Sequence, residues 1–338
     1  MMLKIFCNCI KSIVISMFIT VLLFNAGCSS GDLNNERISE TRFMFDTVVT
    51  LTIHGDVDRG LLDEAFLLCT ELDKLFNMTL EGSDIWRINH AGGEAVQVDM
   101  RTIDVINAGL KFSEVSGGKF DITIGKLSRL WNFGENMNVP SDDEKKIASE
   151  TIDYRLVKIE DNYVQLLNPD AWIDLGAIAK GYIAYQTAEF FAANGVSGAL
   201  VEMGGDIVAV GNRPDGDPWR IALRKPFGES DDFLGIVEAS WVSVLASGIY
   251  ERQFEKDGIL YHHILDPETG YPVVSDVVSA IVKTETAVLG EGLSTIAVLV
   301  GSEKAQTIFQ EFQEFIGAVF VLDDGSIITF GDIDLIRK

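Results

Sequence analysis

The pattern of apolar and polar positions predicts short strands mixed with amphipathic helices along most of the chain. Apolar residues recur at helical spacing over 61–76, and β-branched residues alternate over 42–53, where we expect the first strand. Further helices are predicted at 102–115, 178–193, 290–300 and 303–312; strands at 171–175, 198–203, 206–211, 219–223, 235–239 and 243–246; hairpins at 157–167 and 318–330; and a loop at 130–145. Mixed helices and strands without a regular alternation favour an α+β fold with largely antiparallel sheets and packed helices.

The N-terminal residues 1–28 have the pattern of a secretory signal peptide. Lys4 and Lys11 precede an apolar run over 13–24, and no acidic residue occurs before residue 28. The apolar run is shorter than the roughly 20 residues that a comfortable membrane-spanning helix needs. We therefore expect the folded part of the chain to lie outside the cytoplasm.

The signal ends in the sequence NAGC at 25–28, and small residues directly before a cysteine resemble the bacterial lipobox. Asn25 departs from that pattern, because an aliphatic residue is usual there. A lipid on Cys28 would anchor the protein at the extracytoplasmic face of the bacterial cell membrane, with the polar residues 29–41 as a flexible tether. An N-terminal anchor that is not cleaved is the alternative.

The chain is strongly acidic, with 51 Asp and Glu against 27 Lys and Arg and a net charge of −24. Such a surface repels phosphate backbones, so we expect no nucleic-acid partner. A chain of this charge can still bind a pyrophosphate, provided that it has a local device such as a metal ion, a helix N-terminus or a placed basic residue.

A first candidate for such a device is the segment 174–181, with the sequence DLGAIAKG. It leads from a predicted strand through a glycine turn into a predicted helix. Free N–H groups and the positive end of the dipole at a helix N-terminus favour an anion, and Lys180 adds a charge there. The spacing is not that of a Walker A loop. An ordinary strand-to-helix turn is the alternative.

A second candidate is the sequence EGLST at 291–295, near the start of an apolar helix. Positions i, i+3 and i+4 share one face of a helix, so the Glu291 carboxylate and the hydroxyls of Ser294 and Thr295 can converge. A carboxylate and hydroxyl oxygens suit a hard cation such as Mg²⁺, with phosphate oxygens completing its shell. A capping or solvated helix face is the alternative.

Two of the four histidines, His262 and His263, are adjacent in the sequence YHHILDPETGYP at 261–272. Neighbouring side chains on an extended segment point to opposite sides, so at most one of the pair can face a given pocket. A neutral histidine is a natural base for a hydroxyl nucleophile. A structural pair of hydrogen-bonding histidines is the alternative.

Three further segments combine glycines with aromatic or acidic residues. They are SGGKFDITIG at 116–125, LWNFG at 130–134 and MGGD at 203–206. Glycines allow a ligand to approach the backbone closely, and aromatic rings can pack on a flat ligand ring. Aromatic residues of this kind are also typical of an ordinary core.

Taken together and in this order, these segments resemble the ApbE family. The resemblance extends over about 42–330, and it includes the sequences FMFDT at 43–47 and ASGIYER at 246–252. It implies that 42–338 is an ApbE-like, T-fold-like catalytic unit. It also implies an enzyme that cleaves FAD and transfers FMN to a Thr or Ser hydroxyl of an acceptor protein, with AMP as the second product and Mg²⁺ as cofactor.

The resemblance also implies roles for single residues, which we take as expectations. His263 matches the position of the catalytic base. The expected metal ligands are Ala177 through its carbonyl, Glu291, Ser294 and Thr295. The expected contacts with FAD come from Phe45, Lys119, Phe120, Asp121, Asp174, Lys180, His263 and Ile264.

Three positions depart from the pattern of the family. Glu291 stands where Asp is usual, and its side chain is longer by one methylene. Phe45 replaces a usual Met near the flavin. Thr79 falls where a Tyr often stacks on FAD, so that stacking would be lost or would come from Trp86.

The implied acceptors are redox proteins, namely subunits of sodium-pumping NADH:quinone reductases, Rnf-type complexes or extracellular flavin reductases. Two other functions stay open from the residues alone. A hydrolase would use nearly the same groups to split FAD into FMN and AMP. A flavin-binding lipoprotein without enzyme activity would need the flavin pocket and no metal site.

Overall fold

A computed structural model describes residues 37–55, 57–133, 138–229 and 232–337. All of these belong to the second of two compact units, Asn35–Lys338. The predicted signal peptide with Cys28 and the tether residues 29–36 lie outside the described residues. Within the described ranges, no helix combines the length and the apolar character needed to cross a lipid bilayer.

The described chain mixes strands and helices without a regular alternation. The strands are β1 Arg37–Met44, β2 Thr47–His54, β3 Val96–Gln97, β4 Val157–Glu160, β5 Tyr163–Leu166, β6 Gly198–Met203, β7 Asp206–Gly211, β8 Trp219–Arg224, β9 Phe233–Ala239, β10 Val242–Gly248, β11 Gln253–Lys256, β12 Ile259–His262, β13 Val277–Thr284, β14 Phe315–Leu322 and β15 Ile327–Gly331. The helices are α1 Gly60–Phe76, α2 Asp84–Asn89, α3 Met100–Ser116, α4 Gly125–Trp131, α5 Asp142–Ser149, α6 Ala179–Ala193, α7 Ala287–Val300 and α8 Ser302–Phe309, with a short 3₁₀ turn at Tyr154–Leu156. In the described chain, β6 to β13 follow one another without a helix between them.

One large sheet organises the described part of the chain. Its strand order is β1-β2-β6-β7-β10-β13-β14-β15, and every neighbouring pair is antiparallel. Three smaller sheets, β3-β5-β4, β8-β9 and β11-β12, lie outside it. The expected α+β fold with largely antiparallel sheets is therefore confirmed.

The two faces of the large sheet are both buried, but by different elements. Helices α1, α3, α6 and α7 cover one face, where a large apolar cluster includes Leu51, Val201, Leu245 and Leu293. The other face packs against the β8-β9 hairpin through a second cluster that includes Trp219. Because apolar side chains on both faces leave water, the central strands are fixed in register and provide a rigid base for the helices.

The predicted first strand at 42–53 is wrong as a single element, because the chain turns back at Phe45 and Asp46. Both residues have positive φ, 54° and 55°, as a tight two-residue hairpin turn requires. The preceding residues pair with β2, so β1 begins at Arg37. The predicted tether at 29–41 is therefore too long at its C-terminal end.

Other predicted elements are correct in position but differ in extent. The segment predicted as a strand at 171–175 forms only an isolated parallel bridge between Ile124 and Trp172. The predicted loop at 130–145 is shorter, since α5 begins at Asp142 after a capping box on Ser141. Helix α7 begins at Ala287, so Glu291 lies in its second turn and not at its start.

Candidate active site

One ammonium group and two buried carboxylates meet where α6 packs against α7 and the start of β7. Lys180 Nζ lies 2.5 Å from Asp206 Oδ2 and 2.8 Å from Glu291 Oε1. The two acidic side chains are only 4% and 5% exposed. Buried charges are tolerated when they are paired, and this group pairs one positive charge with two negative ones. The cluster therefore has an excess negative charge that a further cation can neutralise.

The electrostatics of the cluster follow from burial and from these pairs. Burial would lower the pKa of Lys180, but the negative charges of Asp206 and Glu291 outweigh it and raise that pKa, so the side chain is an ammonium. The pKa of Glu291 is raised by its burial and by the charge of Asp206, and the Lys180 ammonium opposes this shift.

Glu291 also caps the N-terminal end of α6 from the neighbouring helix. Its Oε2 accepts a hydrogen bond from the Gly181 N–H. Helices α6 and α7 approach closely here, because a Cβ on Gly181 would lie 2.6 Å from the Ala287 carbonyl oxygen and 2.6 Å from Glu291 Oε2. A glycine is thus required at 181 for the carboxylate to reach the helix end.

This cap leaves the Ala177 carbonyl available to a ligand. In a regular α-helix the N–H of residue 181 would bond to the carbonyl of residue 177. Here that N–H goes to Glu291, and within the described chain no hydrogen bond reaches the Ala177 carbonyl oxygen. The Ala177 carbonyl lies one helical turn before Gly181, and its usual hydrogen-bond donor is taken by the Glu291 carboxylate.

Three hydroxyls lie on the adjoining turn of α7 and on β10. The Ser247 hydroxyl lies 2.8 Å from Ser294 Oγ and 3.0 Å from Thr295 Oγ1. Ser294 is fully buried, whereas Ser247 and Thr295 are partly exposed. The side chains of Glu291, Ser294 and Thr295 thus converge on one face of α7, as the spacing predicted.

The donor set at this point consists of a carboxylate, an unpaired carbonyl and hydroxyl oxygens. The described residues contain no cluster of three His, Cys, Asp or Glu side chains that could hold a metal ion. A soft or imidazole-binding metal has no such site there, but mixed oxygen donors suit a hard cation such as Mg²⁺. The residues present therefore fit the expected ion.

The two adjacent histidines have different surroundings. His262 is buried, and its Nε2 lies 3.1 Å from the Val273 carbonyl oxygen. The backbone N–H of His263 bonds to the Arg252 carbonyl at 3.1 Å, while its buried Nδ1 has no partner. The buried Nδ1 of His262 also has no partner, so the two rings differ in the bond to Val273, for which the His263 side chain has no counterpart within the described residues.

Both histidine rings are neutral at physiological pH. Burial lowers the pKa of each to about 4. For His263 the positive charge of Arg252 and, to a smaller extent, that of Lys180 also lower the pKa. A neutral ring with an unpaired nitrogen is able to accept a proton.

The side chains of 119–121 are bonded within the protein. Lys119 Nζ lies 3.1 Å from Asp266 Oδ1 and 2.7 Å from Glu268 Oε2, which ties this segment to the loop after His263. The Phe120 ring is in the core, edge-on to Phe112 with ring centroids 5.6 Å apart. Of these three side chains only that of Lys119 is partly exposed, and its ammonium is already paired with two carboxylates.

Asp121 is buried, and both of its oxygens accept hydrogen bonds. Oδ1 accepts from the N–H and the hydroxyl of Thr123, and Oδ2 accepts from the Tyr154 N–H. A cavity of about 770 Å³ lies between this segment, α5 and the turn at Pro267. The geometry gives Asp121 a role in shaping the wall of that cavity.

The other expected contacts are spread around the site. Asp174 is partly exposed, and its Oδ1 accepts from the Gly176 N–H at 2.8 Å. Phe45 is partly buried at the β1–β2 turn, and the Ile264 side chain is buried in the core. No described contact joins these three side chains to the Lys180 cluster, and residue 134 of the predicted aromatic segment lies outside the described ranges.

The two residues considered for flavin stacking differ in whether they offer an aromatic ring. Thr79 is exposed, and its hydroxyl donates to Asn77 Oδ1 at 2.8 Å. Trp86 is partly exposed and stacks on His90, with ring centroids 4.1 Å apart, and His90 in turn contacts Trp172. An aromatic surface is thus present at Trp86, while Thr79 has none.

Sequence reasoning missed two members of the site. Asp206 drew attention only through the Gly-Gly turn before it, and Ser247 only as part of a longer matching segment. A polar residue inside a strand that is otherwise apolar was the available signal: both β7 and β10 consist of apolar residues around these positions. Each of them needs a buried partner, which the folded chain provides.

These observations define an α+β protein in which two packed helices and an antiparallel sheet build a buried cluster of one ammonium group, two carboxylates and adjoining hydroxyls. The sequence model of the ApbE family matches residues 45–320. The FAD:protein FMN transferase of Treponema pallidum (strain Nichols) is 32% identical over 339 residues, which cover 94% of this chain and 93% of the relative.

Solved structures agree with this relationship. The ApbE protein of Thermotoga maritima MSB8 superposes with a TM-score of 0.79 at 31% identity, covering 87% of this chain and 96% of its own. The flavin transferase ApbE of Vibrio cholerae gives 0.78 at 26% identity, with coverages of 88% and 97%. The chain belongs to the ApbE family.

Proposed function

We propose that this chain is an FAD:protein FMN transferase. It cleaves the pyrophosphate of FAD with the help of Mg²⁺, joins FMN to a Thr or Ser hydroxyl of an acceptor protein and releases AMP. Relatives with this name share about a third of their residues with it over nearly their whole length. The observation that carries the proposal is the oxygen cluster beside Lys180, where the Glu291 carboxylate takes the Gly181 N–H and leaves the Ala177 carbonyl without a hydrogen bond among the described residues.

Each member of the cluster has a role in holding the reacting diphosphate. Ala177, Glu291 and Thr295 would hold Mg²⁺, which neutralises charge on the phosphates when it is bound. Lys180, fixed by Asp206, presents its ammonium to a phosphate oxygen at the start of α6, where the helix dipole also favours an anion. Phosphoryl transfer depends mainly on such positioning and charge neutralisation.

His263 is the proposed base. The acceptor hydroxyl attacks the phosphorus of the FMN half, its oxygen forms the new P–O bond, and the bond between the two phosphates breaks as AMP leaves. A ring nitrogen of the neutral His263 takes the proton of the hydroxyl. His262 holds its ring against Val273 and keeps the segment in place.

The remaining parts of the proposal concern location and acceptor. The signal sequence and Cys28 support a lipoprotein anchored at the extracytoplasmic face of the cell membrane. An acceptor there would be a redox protein with an exposed Thr or Ser, such as an Nqr- or Rnf-type subunit or an extracellular flavin reductase.

The deciding experiment incubates the protein with FAD and Mg²⁺, with and without a candidate acceptor, and measures both FMN release and the mass of the acceptor. A covalent FMN adduct on one Thr or Ser, lost in the acceptor variant with that residue replaced by Ala, supports transfer. Stoichiometric FMN release without acceptor identifies a hydrolase. FAD that is bound but never cleaved identifies a flavin-binding protein and refutes the proposed enzyme.

A further inference from the structure

The hydroxyl of Ser247 lies between two hydroxyls of the proposed cation site. It is 2.8 Å from Ser294 Oγ and 3.0 Å from Thr295 Oγ1. The Ser294 hydroxyl also donates to the backbone carbonyl of Glu291 at 3.0 Å. These contacts form one continuous chain of three hydroxyls that ends at a carbonyl.

The direction of that chain follows from counting protons. A hydroxyl has one proton to donate, and a carbonyl has none. Ser294 gives its proton to Glu291, so it must accept the proton of Ser247. Ser247 then has none left for Thr295, so Thr295 must donate its own proton to Ser247. The protons therefore point from Thr295 to Ser247, to Ser294 and to the Glu291 carbonyl.

We infer that Ser247 is a positioning residue for the cation that the proposed function requires. A hydroxyl oxygen binds a cation through a lone pair, so its proton has to point elsewhere. Ser247 accepts the proton of Thr295 and leaves the lone pairs of Thr295 Oγ1 free to face the ion. Without this acceptor, a Thr hydroxyl in a helix turns back to the carbonyl four residues before it, which here is that of Glu291.

The backbone around Ser247 is fixed well enough for this role. The preceding residue, Ala246, donates its N–H to Asp206 Oδ1 at 3.0 Å, beyond the point where β10 stops pairing with β7. On its other side, Ser247 pairs with Ala280 in the ladder to β13. The carboxylate that holds Lys180 thus also holds the strand that carries the Ser247 hydroxyl.

The test measures Mn²⁺ binding to the full-length protein without FAD, by electron paramagnetic resonance, because Mn²⁺ takes the same oxygen ligands as Mg²⁺. Ser247→Ala should weaken Mn²⁺ binding about fivefold, the effect of one lost hydrogen bond, and Ser247→Thr, which keeps a hydroxyl, should restore it to within about twofold. Ser243→Ala is the matched control. Ser243 lies on the same face of β10, is buried and has no hydroxyl partner within the described chain, so this variant should bind Mn²⁺ normally.

A double-mutant cycle decides whether Ser247 acts through Thr295. Thr295→Val should weaken Mn²⁺ binding, and adding Ser247→Ala to it should cause no further loss, because the hydroxyl to be oriented is gone. A full additional loss in the double variant would overturn the inference. Normal Mn²⁺ binding by Ser247→Ala would also overturn the inference, but it would leave the proposed function intact. Normal binding by Thr295→Val would instead refute the ligand assignment in the proposed function itself. Unfolding temperatures of all variants show whether a loss comes from misfolding.

Discussion

Replacement of Lys180 by Met is the most direct test of the charge arrangement in the site. The ammonium is the partner of Asp206 at 2.5 Å and of Glu291 at 2.8 Å, and both carboxylates are almost completely buried. Met fills a similar volume but has no charge. The variant therefore keeps the packing between α6 and α7 and leaves two buried carboxylates facing each other without a cation.

The expected cost follows from the burial of these partners. Removal of one partner from a buried ion pair destabilises a protein by about 3–5 kcal/mol, because the remaining charge stays buried without compensation. For a folded unit of about 300 residues each kcal/mol lowers the Tm by about 1.6 °C, so we expect a decrease of about 5–8 °C. Mg²⁺ should reverse part of it, since an ion that binds only the folded state stabilises that state.

The assay is thermal unfolding of the wild type and the variant, each with and without Mg²⁺. Lys119→Met is the matched control: the two lysine side chains are similarly exposed, 27% and 29%, but Lys119 pairs with Asp266 and with Glu268, which is 74% exposed. The pair with Glu268 is largely exposed and contributes about 0–1 kcal/mol, whereas Asp266 is 14% exposed, so the control should lose less stability than Lys180→Met, which leaves two buried carboxylates. Equal losses in the two variants, or a Mg²⁺ effect on Lys180→Met no larger than on the wild type, would refute the charge arrangement.

Other consequences of the site are open to simpler tests. His263→Gln should lower the transfer rate by about 10²–10⁴-fold, while FAD binding, measured by flavin fluorescence, persists. His262→Gln should keep most of the transfer rate. The reverse result would exchange the roles of the two histidines. Because the pKa of His263 is lowered to about 4, its ring is neutral above that pH. Its contribution to the transfer rate should therefore stay constant down to about pH 5 and decrease at lower pH. A change of the rate near pH 6.5 would contradict this pKa. Glu291→Gln should raise the Mg²⁺ concentration needed for half-maximal transfer, and an unchanged requirement would remove Glu291 as a ligand. Gly181→Ala should cost about 1–3 kcal/mol in urea unfolding, because its Cβ would lie 2.6 Å from the Ala287 carbonyl oxygen, and a neutral effect would show that α6 and α7 can separate freely.

Local patterns predicted those elements whose signals lie within the element itself. Helix α1 has a buried stripe at helical spacing, and Gly117, with φ of 69°, ends α3 where the glycine pair predicted. The hairpin β14–β15 likewise turns at Asp324 and Gly325 as its sequence predicted. In each case a few neighbouring residues specify the conformation, so no distant contact is needed.

The predictions that failed depend on contacts far away in the chain. Phe43, Met44 and Phe45 form an apolar run that leads into Asp46. Asp tolerates positive φ, but Phe rarely adopts it, and no Gly or Asn marks a turn there. Only the pairing of β2 with both β1 and β6 reveals that two strands are present. The strand β13 was not predicted at all, although it lies in the middle of the large sheet between β10 and β14. Strands buried on both faces lack the alternation that marks an edge or half-exposed strand.

The candidate site shows the same division. The spacing of Glu291, Ser294 and Thr295 on one helix predicted their convergence, because a helix fixes the relative positions of its own side chains. The use of Glu291 as a cap for α6 could not be predicted, since it depends on how closely two helices approach at Gly181. The extra methylene of Glu291 is needed for this double contact. The carboxylate of an Asp at the same backbone position would be withdrawn by about one C–C bond, roughly 1.5 Å, and could not reach both Lys180 and the Gly181 N–H.

The charges of this cluster explain how an acidic chain could bind a diphosphate. Surface charges separated by more than about 8 Å are largely screened at physiological salt, so the net charge of −24 acts weakly on a group inside the site. Buried charges interact over short distances and are screened much less. Within that range, in the proposed function, the diphosphate would meet the Lys180 ammonium and the start of α6, while a divalent cation would meet the surplus carboxylate. The acidic surface and the cluster therefore both attract the cation, and only the short-range groups attract the dinucleotide. A rise in ionic strength should consequently weaken the binding of Mg²⁺ more than that of FAD to the Mg²⁺-loaded protein.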